Sequence, residues 1–516
     1  MTEKDYIIGV DSSTTAAKAI VWDKRGEVIV ETREGIPLLT PYPDWVEQRA
    51  EDWWNATAKS IRSAVQQVNP QRIAAIGITH QRESFVPINR EMKPVRNGIL
   101  WTDTRSTAQV EQLRRKWGKK IHKITGRFPN LYASNVKIMW MKENEPSLFR
   151  SVYKYLDVAA YLNWKLTGRF ITTWPSACPM GIVDISKLCW SREILDLLDV
   201  KEEQFCELTA PGSIVGTLNK ETASLLGLPG GVPVVGGGGD GQCAALGAGV
   251  IEEGRASLNL GTAVVSELYS QEYTPGEPYR SMCGCVPKTY INETLIAAGV
   301  FTINWFIEEF GDDIQKVSKE NNIVPEQIFE IMASEVGPGK PRLLMIPYWK
   351  AASAPFWDPF AKGVVIGWSE NITKAHFYRS ILEGIVFEQK FLYDETQKYL
   401  NKKIEEIVLL GGGASSPLWR QIVADIVGIP VLIPTTLEST CLGAAMLAAS
   451  AVGIYPGVSE ASKNMSAVKD KYTPVKENRD FYLKIYEEVY RSLFRTIQDL
   501  VDKFTKITLF ENYIDF

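Results

Sequence analysis

The chain has 516 residues, a formal net charge of −4 and seven cysteines. That length exceeds one hydrophobic core and implies two to four domains at roughly 100–200 residues each. The near-neutral balance, with no long basic run, argues against nucleic acid or an anionic membrane as the main partner. No cysteines form a CxxC pair, and the one CxC, Cys283 and Cys285, reads as two small buried residues. This usage fits a reducing cytoplasm. The first residues, MTEKDYIIGVDSS, lack the apolar segment of a signal peptide, and no run of about 18 apolar residues predicts a membrane span.

Residues 6–10, 17–22 and 27–32 read as three short strands, with a hydroxyl-rich bend at 11–15 and a glycine turn at 23–26. A helix over 51–68 and a strand over 73–79 follow. A meander followed by strand, helix and strand suggests a mixed sheet with helices on its faces. Residues 80–230 are less regular. A strand is expected at 98–102 and helices at 108–117, 133–142 and 155–166, the last ended by Thr167-Gly168.

The stretch VPVVGGGGDGQCAALGAGV, 232–250, is a β-branched strand, four glycines, Asp240 and a small-residue helix. Gly236 to Gly239 permit tight or positive-φ turns and leave the backbone open to close approach. Asp240 falls where a strand ends and a helix begins, the edge where ligands bind in α/β sheets. Two readings stand at this point: a helix N-cap or a general base.

The pattern then restarts. Strands are expected at 256–260 and 264–269, joined by Gly261-Thr262, so a strand–hydroxyl turn–strand unit occurs twice. Two domains of similar build facing a cleft follow from that repeat. A long helix is expected at 374–400, a strand at 405–410 opening into GGGASS, a helix at 418–427, a strand at 430–434 and an alanine-rich helix at 441–452. A last helix at 479–504 carries Tyr482, Ile485, Val489 and Leu493 on one face, which suits core packing.

Three loops suit phosphate: 11–15 with Lys18 behind it, Gly261-Thr262, and 411–416 before a helix N-terminus. None is a P-loop or a GxGxxG fingerprint. The segments IGVDSSTTAAKAIVWD, GILWTDTR, GGGDGQCAALGAG, SLNLGTAVV, DPFAKGVVIGW and the long run from GGGASSPLWRQ to TLESTCLGAAMLAA resemble the FGGY family of carbohydrate kinases, which share the fold of actin and hexokinase. The resemblance implies an α/β chain of two actin-like, ribonuclease H-like domains with a cleft between them. It divides the chain into an N-terminal domain at 1–253, with sugar site and base, and a C-terminal nucleotide-binding domain at 254–516.

By position, the resemblance makes Asp240 the catalytic base and Asp11 the carboxylate near Mg²⁺. Thr14, Thr15 and Lys18 fall on the first phosphate loop, Gly261 and Thr262 on the second, and Gly412, Gly413 and Ala414 where the nucleotide binds. The substrate side divides. Arg82, Glu83, Trp101 and Tyr132 look like the polyol contacts of glycerol kinases, with Gln242 beside them, whereas the overall pattern and the C-terminal helix look like xylulokinases. For Arg82–Glu83 a surface ion pair is the plainer reading, and for Trp101 and Tyr132 plain core packing. Gly241 stands where glycerol kinases carry a glutamine. Ser13 replaces a glycine usual in the first loop, Ala263-Val264 a small polar pair, and Ala351–Ala354 a Gly-Glu-Arg segment of many xylulokinases. His80 reads either as a hydroxyl contact or as packing.

The resulting expectation is an ATP- and Mg²⁺-dependent kinase of a small ketose, D-xylulose first, with glycerol or another polyol as the alternative. An actin-like nucleotide-binding scaffold without a sugar is the reading from another class. No nucleic acid or membrane partner is expected, a homodimer is compatible, and the compartment expected is the cytoplasm.

Overall fold

The computed structural model describes residues 3–338, 342–358 and 360–510. Six strands, β1 (Tyr6–Ser12), β2 (Ala16–Trp22), β3 (Val28–Gly35), β4 (Ile73–His80), β5 (Ile214–Thr217) and β6 (Pro233–Gly239), form one sheet in the order β5-β6-β4-β1-β2-β3. Strands β1 to β3 are an antiparallel meander, and β4 and β6 run parallel to β1. A second sheet holds β7 (Arg255–Leu260), β8 (Val264–Ser270), β9 (Arg280–Cys283), β10 (Tyr290–Ile296), β11 (Glu406–Leu410), β12 (Val431–Pro434) and β13 (Val468–Tyr472), in the order β9-β10-β8-β7-β11-β12-β13.

Stripped of edge strands, the two sheets are the same object. Each has a hairpin, a third antiparallel strand outside it, and two parallel strands on the other side. This is the doubled actin-like, ribonuclease H-like α/β fold that the family resemblance implies, in the two similar halves that the sequence repeat suggests. The central strands are apolar runs because helices cover both faces: Ile7, Ile8, Val10, Ile73, Ile76 and Ile78 are all buried. The edge strand β3 instead carries Glu31, Arg33 and Glu34.

Two short helices join the lobes. The first, α1 (Asp240–Gly247), leaves the N-terminal sheet, yet Ala244, Ala245 and the following Ala248 pack with Val408, Leu410 and Leu432 of the other sheet. The second, α2 (Ser439–Ala451), leaves the C-terminal sheet, yet its Ala445, Met446, Ala448 and Ala449 pack with Ile7, Ile20, Trp22 and Ala75. Each helix is thus seated on the partner lobe. They cross backbone to backbone: a Cβ on Gly247 would overlap the carbonyl of Ser439, and one on Gly443 the carbonyl of Cys243. Gly9 and Gly77 are bare for the same reason, since carbonyls of α2 lie on them. The alanine-rich composition at 441–452 is therefore inter-lobe packing.

Three expectations need correction. The strand at 232–235 runs on through all four glycines to Gly239, none of which has positive φ. They are bare because neighbouring atoms press on them; a Cβ on Gly236 would meet Thr173 at 2.5 Å, one on Gly237 would overlap the Ile78 carbonyl, and one on Gly238 would meet Cys285 at 2.6 Å. The helix expected at 155–166 begins at Val158, because Lys154–Asp157 pairs with Phe85–Ile88 in a separate four-stranded sheet and Asp157 caps the helix. The last helix is broken by a π-helical turn over Tyr486–Tyr490. That extra residue per turn brings Tyr482, Tyr486, Tyr490 and Phe494 into the core and turns Val489 outward.

Gly443→Ala is expected to lower the stability by at least about 1–3 kcal/mol, the usual result of overpacking. Gly118→Ala, inside the helix Thr107–Thr125 with no atom within 4 Å of a new Cβ, is expected to raise it by about 0.5–1 kcal/mol. Thermal denaturation followed by circular dichroism reads both. Equal midpoints for the two variants would contradict the close crossing.

Candidate active site

Asp240 is the first residue of α1 and lies in the groove between the lobes, its side chain 40% exposed. Gly239 holds the N-cap position, so the cap reading of Asp240 does not hold. Asp240 Oδ1 accepts the Gly241 N–H at 2.8 Å and lies 2.9 Å from Arg82 Nε. Arg82 reaches it because Gly239 has no side chain; a Cβ there would overlap Arg82 Cγ. The turn after β4 that delivers Arg82 passes through Glu83 at φ +67°.

Arg82–Glu83 is no surface pair. Arg82 Nη1 donates to Glu293 of β10 at 2.6 Å, and the other oxygen of Glu293 is bonded to Arg280 of β9. Arg280 Nη1 lies 3.4 Å from Glu83, which is also bonded to Arg127. Burial works against the charge of Glu83, but Arg127, Arg280 and Arg82 hold its carboxyl below the usual range. Glu267 of β8, buried beside Glu293, Arg82 and Asp240, is pushed well above that range, mainly by burial and by Glu293. A Cβ on Gly241 would overlap Glu267 Oε1 and lie 3.2 Å from Arg82 Cζ, so a larger residue at 241 needs the ends of those two side chains to move.

Trp101 and Tyr132 are half-buried with ring centroids 5.8 Å apart. Trp101 Nε1 donates to Thr14 Oγ1 at 2.9 Å, and Thr14 Oγ1 donates to Gln81 at 3.2 Å, which ties the substrate segment to the first phosphate loop. Lys137 underlies both aromatics, donating to the carbonyls of Tyr132 at 2.8 Å and Trp101 at 3.2 Å, and burial pulls its pKa down to about 7. Gln242, expected at the substrate, is buried with its amide donating to the Pro175 carbonyl. His80 is fully buried with Nδ1 donating to the Gln81 carbonyl at 2.7 Å, the packing reading.

On the phosphate side, Asp11, one residue before the end of β1, stands opposite Lys18 of β2. Its Oδ1 is buried without a partner, and burial first, then Asp240, push its carboxyl up to about 7. Lys18 reaches across the lobes to Glu438, the N-cap of α2, at 2.5 Å, and also to Glu31 at 3.3 Å. Ser13 closes its turn by donating to the Ala16 carbonyl at 2.8 Å, and Thr15 is exposed on that loop. Gly261 and Thr262 direct their carbonyls to the N–H groups of Val300 and Gly299, both at 2.9 Å, and Thr262 is exposed. Gly411, at φ +82°, leaves room for Asn259 beneath it. Gly412 is open, while Gly413 is bare against the Trp419 ring. Ala414 is buried and its carbonyl accepts from Arg420 at 2.6 Å, so it faces the interior.

The structure therefore gathers Asp240, Arg82, Glu83, Trp101, Tyr132, Thr14 and Asp11 around one groove and leaves Gln242 and Ala414 in the interior. Arg127, Glu267, Arg280 and Glu293 were not foreseen; Arg82 and Glu293 are 211 positions apart in sequence, with no local spacing to connect them. Among the described residues no group of three or more His, Cys, Asp or Glu could hold a metal ion. Cys243 and Cys285 are buried with sulfurs 3.8 Å apart. No helix among the described residues is long and apolar enough to cross a membrane.

Residues 6–247 match the N-terminal domain of the FGGY family of carbohydrate kinases, and residues 256–452 match its C-terminal domain. A glycerol kinase of Thermococcus kodakarensis is 30% identical over 468 residues, 88% of this chain and 90% of that protein. A xylulose kinase of Lactococcus lactis subsp. lactis is 29% identical, covering 96% of this chain and 99% of that protein. The ligand-bound structure of a xylulose kinase from Lactobacillus acidophilus superposes with a TM-score of 0.88 at 26% identity, over 97% of this chain and 99% of that one.

The raised carboxyl of Asp11 has a measurable consequence. Between the unfolded value of 3.8 and about 7, the folded protein holds a proton that the unfolded chain has lost. Stability therefore falls as pH rises through that window. Asp11→Asn removes this dependence. In EDTA and without nucleotide, the variant is expected to melt increasingly above the parent from pH 4 to pH 7, with a constant margin beyond. A margin that shrinks with rising pH in thermal melts would contradict the geometry at Asp11.

Proposed function

The chain belongs to the FGGY family of carbohydrate kinases, phosphotransferases with an alcohol acceptor, and from that premise we propose that it transfers the γ-phosphoryl group of ATP to a primary hydroxyl of a small ketose, D-xylulose by preference. Family membership sets aside the scaffold reading. The observation that carries the proposal is Asp240, half-exposed in the inter-lobe groove with one oxygen held by Arg82 and the Gly241 amide.

In this reading Asp240 Oδ2 takes the proton of the acceptor hydroxyl while its oxygen bonds to the γ-phosphorus. The bond to the bridging oxygen breaks, and ADP leaves with that electron pair. Such a transfer needs positioning and charge neutralisation more than covalent work by the protein. Arg82, Glu83 and the Trp101–Tyr132 pair orient the acceptor. Thr14, Thr15, Gly261 and Thr262 offer hydroxyls and amides to phosphates, and Gly412 and Gly413 leave the nucleotide space. Lys18 joins the phosphates by exchanging Glu438 for them. The orphaned oxygen of Asp11 suits a hard cation. Mg²⁺ held there, with phosphate oxygens and water completing its shell, would neutralise charge at the transferring group. The lobe boundary at 253/254 and the cytoplasm belong to the same proposal, the latter on seven free thiols.

The second reading, a glycerol or polyol kinase, is favoured by the Arg82, Glu83 and Trp101 set. Against it stands residue 241, a glycine where glycerol kinases carry a glutamine, with the ends of Glu267 and Arg82 lying in the space that side chain would take. ADP release is expected to rise with D-xylulose more than with glycerol, measured as kcat/KM. A higher value for glycerol overturns the ketose preference, and no stimulation by any pentulose or polyol overturns the kinase assignment. Asp240→Ala is expected to lower kcat by about 10²–10⁴-fold, the usual contribution of a general base, with binding of an ATP analogue retained. Normal turnover by that variant refutes the base.

A further inference from the structure

We propose that Glu293, from the C-terminal lobe, is a positioning residue for phosphoryl transfer, acting through Arg82 on Asp240. The inference rests on the phosphotransferase reading above.

Three strands of the second sheet bring an unusual row together. In register, Arg280 of β9 stands directly opposite Glu293 of β10, and Glu293 directly opposite Glu267 of β8. The glutamates are buried to the last few per cent and Arg280 to within a tenth. Two carboxylates opposite each other inside a sheet are unfavourable. The row is tolerable because burial and Glu293 push the Glu267 carboxyl well above its usual range while two arginines hold Glu293 below it. Burial opposes ionisation of Glu293, but Arg280 and Arg82 draw its carboxyl down to about 2. Fold stability offers no reason to bury this row, and its free end points at the base.

The link is Arg82. A guanidinium presents donors in a fixed plane, so holding one edge orients the others. Glu293 takes Nη1 at 2.6 Å, which leaves Nε aimed at Asp240 at 2.9 Å. Three cations alternate with three anions from Asp240 through Arg82, Glu293, Arg280 and Glu83 to Arg127. Without the charge on Glu293, Arg82 has Asp240 and Glu83 as its nearest anions. It would fold onto Asp240 and occupy the oxygen needed by the acceptor. Because Glu293 and Arg280 belong to one lobe and Arg82, Glu83 and Asp240 to the other, the base is correctly held only when the lobes meet.

The test uses the full chain with whichever of D-xylulose or glycerol the wild type phosphorylates. Glu293→Gln is expected to lower kcat at least about tenfold, the lower edge for residues that orient active-site groups, while the KM for ATP stays within about twofold, since ATP is bound elsewhere. Glu293→Asp, which keeps the charge on a shorter stem, is expected to recover most of the kcat. Equal loss in both variants means that packing rather than charge matters and overturns the inference, as does an unchanged kcat in Glu293→Gln. If Glu293→Gln does not fold, the double variant Arg280→Gln/Glu293→Gln, which removes one cation with one anion, decides. A lowered kcat at constant KM for ATP supports the role, and a wild-type kcat overturns it. A wild type that phosphorylates neither acceptor sinks the kinase reading and this inference together, whereas an active wild type confines any failure to Glu293.

Discussion

The backbone contact between α1 and α2 is the constraint from which the site follows. At Gly247 on Ser439 and Gly443 on Cys243 no atom stands between the two helices. Each helix begins at the end of a strand in its own lobe and is packed on the sheet of the other. Their N-termini therefore both open on the groove. One presents Asp240, and the other presents Glu438 with Lys18 bonded to it. A base carried on a packed helix is held more precisely than one on a loop.

The groove is electrostatically expensive, and the apolar clusters on either side of it carry that burden. Asp11 and Asp240 repel, burial and Glu293 push the Glu267 carboxyl well above its usual range, and Lys137 is buried under two carbonyls. Each of these disfavours the folded state. Their coincidence at one place, away from the two extended apolar clusters, is the pattern of an active site rather than of a stability device. Lys18, on the opposite strand, offsets part of the rise at Asp11 although its ammonium is bonded to Glu438 and Glu31.

Legibility in the sequence followed the range of the interaction. The hairpin bends, the parallel strands and Asp240 at a strand end are local patterns, and they were readable. So was the repeat of the whole unit, because both copies keep the same hairpin with a hydroxyl or glycine at the bend. The glycines at 236–239 could be read as turn or as close approach, and only the packing of Thr173, Cys285 and Arg82 against them decides for approach. Arg127, Glu267, Arg280 and Glu293 carry no local signature. Their meaning lies in strand register and in the lobes meeting, neither of which a spacing rule reaches. The π-helical turn at Tyr486–Tyr490 escaped for a related reason, since period 3.6 is assumed in any helical stripe and one inserted residue rotates everything after it.

The same distinction bears on how the acceptor is chosen. A glutamine beside the base would come from the same helix as Asp240 and would recognise a hydroxyl from one lobe alone. Here that space belongs to Glu267, which reaches it from a strand of the opposite lobe. Arg82, the other group filling it, is itself held by Glu293 of that lobe. The surroundings of Asp240 are thus built by side chains of both lobes.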